Sequence, residues 1–124
     1  PLFSSRRRNT RSGIMSRGLG DVYKRQPEDI AAAQKGLKKV KSIMATEEYK
    51  VIILEEANVA AKFGLIREQD LLGLIINKPY DTELVITGRH ASSRVIENAD
   101  LVTEMVPIKH YFEKGVPARV GIEK

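Results

Sequence analysis

The stretch Val51-Ile52-Ile53-Leu54-Glu55-Glu56 decides how this chain is read. Four consecutive large apolar residues, with Lys50 before them and two acids after, are too short a run for a helix. They are the pattern of a strand buried on both faces, as in a parallel sheet. Glu83-Leu84-Val85-Ile86-Thr87-Gly88 repeats the pattern. Between the two, Asn58 to Phe63 suits a short helical turn stopped by Gly64. Arg67 to Asn77 suits a longer helix with Leu71, Leu74 and Ile75 inward and Pro79 beyond its end. Strand, helix, strand is the α/β order, with right-handed crossovers and helices outside a parallel sheet.

Working outward, Pro27-Glu28-Asp29 reads as a helix start, with proline early and two acids in the first turn. Ile30, Ala33, Leu37, Val40 and Met44 follow at alternating spacings of three and four, one apolar stripe. Lys35, Lys38, Lys39 and Lys41 sit mostly off that stripe and read as a solvated face rather than a phosphate-binding patch. Past the second strand, Ser92 and Ser93 can cap a helix running through Asn98, and Leu101 to Met105 reads as a further short strand. The tail from Pro107 to Lys124 reads as an extended, ordered arm.

The chain has 124 residues, 42% hydrophobic and 30% charged, enough for one domain of ordinary globular balance. Its longest apolar stretch, Leu71 to Ile76, contains Gly73 and falls far short of the roughly 20 residues a membrane helix needs. It has no cysteine, which excludes disulfide scaffolds, zinc ribbons and thiol nucleophiles and is compatible with the cytoplasm. The net charge of +5 is unevenly spread. Residues 1–26 hold seven Lys/Arg and one acid, whereas residues 27–124 hold 14 Lys/Arg and 15 acids. The larger part is therefore near neutral and has no broad footprint for nucleic acid.

Residues 1–26 show no helical or strand period. A basic arm that folds on nucleic acid is one reading, and an Arg/Ser-rich presequence is another. A third is that the segment is not native. The string Ser16–Gln26, SRGLGDVYKRQ, resembles the translation of sequencing-adapter DNA. Residues 1–26 are accordingly expected to be a non-native or disordered leader, and 27–124 the functional part.

In open α/β sheets, ligands bind beyond the carboxyl ends of the strands. Glu55 and Glu56 stand at one such end, in the pattern of a Walker B strand: a rigidly held hard oxygen for a Mg²⁺ that bridges nucleotide phosphates. Acids after a strand also start helices, so the bland reading stays open. Thr87-Gly88-Arg89 stands at the other end, where a small hydroxyl, a glycine allowing close approach and an arginine suit an anion. A surface ion pair is the alternative for Arg89. The P-loop that should accompany a Walker B strand, G-x-x-x-x-G-K-[ST], is absent; no glycine here is followed by lysine. Of the two histidines, His90 and His110, neither has a second histidine to complete a metal set, and both read as hydrogen-bonding structural residues.

Several blocks in order then carry a family likeness: Leu54-Glu55-Glu56-Ala57-Asn58-Val59-Ala60, Phe63-Gly64-Leu65, Leu84-Val85-Ile86-Thr87-Gly88-Arg89, Ala99-Asp100-Leu101-Val102-Thr103-Glu104-Met105, Pro107-Ile108-Lys109-His110-Tyr111-Phe112, Gly115, and Gly121-Ile122-Glu123. In this order and spacing they resemble the C-terminal half of the P-loop type ATP:corrinoid adenosyltransferases. The likeness spans about residues 27–124. It implies an incomplete P-loop NTPase-like (RecA-like) sheet whose first strand and P-loop are missing from this chain. It implies transfer of the 5′-deoxyadenosyl group of ATP to Co(I) of a corrinoid, with triphosphate leaving, in adenosylcobalamin synthesis or salvage.

The resemblance further implies Glu55 and Glu56 as Mg²⁺ residues. The family usually has Asp-Glu there, so Glu55 is one methylene longer. It implies Asn58, Thr87, Gly88 and Arg89 around ATP, and Lys109, His110 and Phe112 closing over the site or bracing a subunit contact. Arg119 stands where the family often has glutamine. A cytoplasmic homodimer with a flavoprotein reductant, no membrane and no nucleic-acid partner is the family expectation, and a piece without its P-loop is expected to be inactive. The rivals are a piece of another P-loop ATPase, which would release phosphate, and a non-enzymatic α/β module with a basic nucleic-acid-binding arm.

Overall fold

A computed structural model describes residues 26–122, so nearly all of the expected leader, and Glu123 of the terminal block, lie outside the described residues. The described residues fall into two compact units, one over 26–104 and one containing 105–122.

In the first unit the order is α1 (Pro27–Thr46), β1 (Val51–Leu54), α2 (Ala57–Lys62), α3 (Glu68–Asn77), β2 (Glu83–Ile86) and α4 (Ser93–Glu97). β1 and β2 pair in parallel, in the register Val51↔Glu83, Ile52↔Leu84, Ile53↔Val85, Leu54↔Ile86. This is the expected α/β class with a parallel pair. Glu55 and Thr87 therefore stand side by side, one residue past the paired ends.

The core explains the order. Leu37 and Met44 of α1, Ala57 of α2, Ile66, Leu71, Leu72 and Leu74 at and within α3, and Val95 of α4 are buried together, with Ile52, Leu54, Leu84 and Ile86 of the sheet packed against them. The α1 stripe read from spacing is thus the face that meets the core, and its four lysines are exposed. α1 ends at Glu47, whose left-handed φ of 55° turns its N–H back to the Met44 carbonyl. α3 starts with a reciprocal cap: Asp70 accepts the Arg67 backbone N–H at 3.2 Å and the Arg67 guanidinium at 3.1 and 3.0 Å. Ser92 caps α4 as expected, its hydroxyl accepting the Val95 N–H.

Three expectations need correction. β1 is not buried on both faces: Val51 and Ile53 are 55% and 61% exposed, and only Ile52 and Leu54 face the core. The described helices cover one face of the pair, so each strand alternates instead of being uniformly buried. Leu101 to Met105 forms no strand. It pairs with no neighbour among the described residues, and Leu101 and Met105 are 85% and 89% exposed. A strand needs a ladder partner to satisfy its amides, and apolar composition alone does not supply one. Nor is the tail extended throughout. It folds into a 3₁₀ turn at Tyr111–Lys114, ended by Gly115 at φ 72°.

Candidate functional site

The carboxyl ends of β1 and β2 are joined by more than their ladder. Beyond the last pair, the Thr87 N–H donates to the Leu54 carbonyl at 3.0 Å. The Glu56 N–H then donates to the Thr87 hydroxyl oxygen at 3.0 Å. The Asn58 N–H donates to the Thr87 carbonyl at 3.2 Å, and the Asn58 amide nitrogen donates to the Gly88 carbonyl at 3.3 Å. Four hydrogen bonds thus clasp the acidic turn after β1 to the arginine loop after β2. Backbone shape makes this possible. Glu56 is left-handed at φ 58° and Gly88 lies at φ 112°. A Cβ on Gly88 would stand 3.2 Å from Glu56 Cα and 3.2 Å from a Val59 methyl. Glycine takes that φ without strain and that approach without displacing a neighbour.

Glu55, Glu56, Asn58, Thr87 and Gly88, read separately from two strand ends, are therefore one assembly, with Arg89 directly attached. The bland readings are met in part: the acids do stand at a helix start, but few contacts tie their side chains down. Glu56 is the N-cap of α2, yet its carboxylate makes no capping hydrogen bond. Arg89 is exposed and enters none of the ion pairs among the described residues, nor do Glu55 and Glu56. Glu55 is exposed and Glu56 half-buried. Two adjacent uncommitted carboxylates and a nearby cation remain available to a ligand.

Asn58 is 6% exposed, and its Oδ1 is buried without a hydrogen-bond partner among the described residues, while its nitrogen is held by Gly88. It also borders a cleft of about 380 Å³ whose polar rim is Lys62, Glu68, His90 and Ser92. His90 sits on that rim at φ 65°, placed by the turn after Gly88 rather than by any hydrogen bond of its ring among the described residues.

Among the described residues no group of three or more His, Asp or Glu is arranged to hold a metal. The donors present at the strand ends are the two adjacent carboxylates of Glu55 and Glu56, and one or two carboxylates are what Mg²⁺ takes when waters and substrate phosphates complete its shell.

The second unit holds Lys109, His110 and Phe112. The His110 Nδ1 accepts the Phe112 N–H at 3.0 Å, which leaves the ring's other nitrogen to carry the proton of the neutral form. The His110 ring stands 4.8 Å from that of Tyr111 and edge-on to Phe112 at 6.4 Å. The Arg119 guanidinium lies 5.1 Å above the Tyr111 ring, a cation–π contact inside the unit. His110 is thus a turn-forming residue, in keeping with its structural reading. Phe112 remains 66% exposed. What the sequence reading missed was the clasp: nothing in Thr87 or Asn58 alone signals that each bonds the opposite loop.

A family model described as ATP:corrinoid adenosyltransferase BtuR/CobO/CobP matches residues 10–123. The chain is 38% identical over 96 residues to a corrinoid adenosyltransferase of Sinorhizobium sp, covering 77% of this chain and 45% of that protein. It is 34% identical over 110 residues to the corrinoid adenosyltransferase of Pseudomonas aeruginosa, covering 89% and 54%. Against the Escherichia coli strain K12 corrinoid adenosyltransferase the identity is 26% over 110 residues, covering 89% and 56%. The chain spans about half the length of the curated relatives it matches.

Proposed function

The chain belongs to the ATP:corrinoid adenosyltransferase family, and from that footing we propose that it supplies the acidic and arginine-bearing strand ends of an enzyme that moves the 5′-deoxyadenosyl group of ATP to Co(I) of a corrinoid. The observation that carries the reading is the clasp: two carboxylates and an arginine, none of them in an ion pair among the described residues, carried on two loops bonded together beyond two parallel strand ends. Glu55 and Glu56 would hold Mg²⁺, one directly or through water, and the ion would neutralise charge on the leaving triphosphate. Arg89 would meet the terminal phosphates, with Gly88 letting the backbone come close. Asn58 and Thr87 border that anion site. Since Co(I) is itself the nucleophile, no side chain has to attack. The protein's work is to orient ATP and neutralise its phosphates. Lys109, His110 and Phe112 would act in the second unit as a cover or a subunit brace.

In this reading the fold is that of a P-loop NTPase, the phosphate-cradling turn comes from sequence this chain does not contain, and the 124 residues alone do not turn over. The working enzyme is a cytoplasmic homodimer served by a flavoprotein reductant. No helix of the described residues is long and apolar enough to cross a membrane.

A chimera tests this. Residues 27–124 replace the matching part of the Pseudomonas aeruginosa relative, and the product is assayed with ATP, Mg²⁺ and cob(I)alamin. The expected products are adenosylcobalamin and inorganic triphosphate in equal amounts. A folded chimera that releases ADP and phosphate instead favours the rival ATPase reading, and one that binds ATP without any reaction contradicts both.

A further inference from the structure

We infer that Thr87 is a positioning residue, which fastens the acidic turn to the arginine loop and so sets the separation of Glu55-Glu56 from Arg89. The hydroxyl oxygen is already used: it accepts the Glu56 N–H at 3.0 Å. The backbone of the same residue makes two further bonds across the gap, its N–H to Leu54 and its carbonyl from Asn58. One residue therefore holds three points along the run from the end of β1 to the start of α2. Glu56 needs such a hold. It is a non-glycine residue in the left-handed region, a conformation that persists only where its surroundings impose it. Glu56 is the N-cap of α2 and its carboxylate caps nothing, so the Thr87 carbonyl, which accepts the Asn58 N–H, takes the place of the missing cap, while the Thr87 hydroxyl satisfies the Glu56 N–H itself. Asn58 supplies the second strap, through Gly88. Glycine at 88 lets the two loops lie within van der Waals contact.

The inference deepens the proposed function and relies on it for the identity of the ion, but the clasp itself stands on the geometry alone. The test uses the 124-residue chain and two readouts by NMR. The first needs no metal: the Glu56 amide is expected to exchange slowly in the wild type, on the order of fivefold faster in Thr87→Val, and at the wild-type rate in Thr87→Ser. The second uses Mn²⁺ as probe. In the wild type it is expected to broaden the amides of residues 55–58 and, because the loops are fastened, those of Gly88 and Arg89 as well. Thr87→Val should keep the first set broadened and lose much of the second, and Thr87→Ser should restore it.

A fast-exchanging Glu56 amide in the wild type overturns the inference without any variant, so a Thr87→Val chain that fails to fold does not shield it. Equal broadening of both loops in Thr87→Val and wild type overturns it too. No broadening at residues 55–58 in the wild type counts against the proposed metal role instead, and the exchange rates then decide the clasp on their own.

Discussion

The Thr87 hydroxyl accepts the backbone N–H of Glu56 across the ends of two parallel strands, at 3.0 Å. Residues 31 positions apart in sequence thereby share one turn of structure. The acid pair and the arginine loop are thereby bonded to one another, and charge stabilisation favours such a link: groups fixed before the charge develops stabilise it without reorganising.

Replacing Glu55 or Glu56 by Gln in the chimera should separate activity from folding. The Glu56 side chain makes no cap and neither carboxylate makes an ion pair among the described residues. Stability in urea should therefore change by no more than about 0.5 kcal/mol. Adenosylcobalamin formation should fall on the order of a hundredfold for at least one of the two. Equal loss of stability and activity would show the acids to be structural.

Gly88→Ala should be costly although glycine contributes no side chain. The new methyl would meet the Glu56 and Val59 atoms at 3.2 Å, at a φ of 112° that alanine rarely adopts. About 2–3 kcal/mol of destabilisation is expected, measured as a lower urea midpoint of the 124-residue chain. A neutral effect would mean that the two loops are not in contact in solution.

Core and open face should respond differently to the same truncation. Leu71 is 1% exposed at the centre of the core, and Leu71→Ala should cost about 3 kcal/mol. Ile53 is 61% exposed on the uncovered face of the pair, and Ile53→Ala should cost under about 1 kcal/mol. Chemical denaturation of both variants checks the ratio. Equal losses would mean that something covers the second face.

Acid sensitivity should centre on Asp70. Its hydrogen bonds from the Arg67 guanidinium lower its pKa below the ordinary 3.8, against an opposing push from burial. A carboxylate lowered in the folded state adds stability above its unfolded pKa, and that stability is lost as pH falls through the folded value. Wild type should therefore exceed Asp70→Asn in urea midpoint at pH 7, and the gap should narrow as pH drops below about 4. A gap that stays constant into that range would assign the effect to packing rather than charge.

How far the residues could be read in advance follows from the range of each signal. Helix spacing, proline and glycine stops, and the Ser92 cap are local, and α1, α2, α3 and α4 lie where they point. Whether a strand is covered on one face or two depends on what packs there, which four apolar letters cannot tell, so the run predicts burial for Val51 and Ile53 and the structure leaves both exposed. Leu101–Met105 has strand composition but no ladder partner among the described residues. The candidate residues were legible as types, acid pair and Thr-Gly-Arg, because their chemistry is carried by the side chains themselves.

Sequence alone determined the α/β class, the two strands and the charged groups at their ends, since hydrophobic period and residue chemistry are properties of neighbours along the chain. Tertiary structure alone decided that Glu56 and Thr87 touch, that glycine at 88 makes room for that contact, and that one face of the strand pair lies open. These depend on parallel register and on a crossover that returns the chain, and no local pattern encodes which distant amide a hydroxyl will meet.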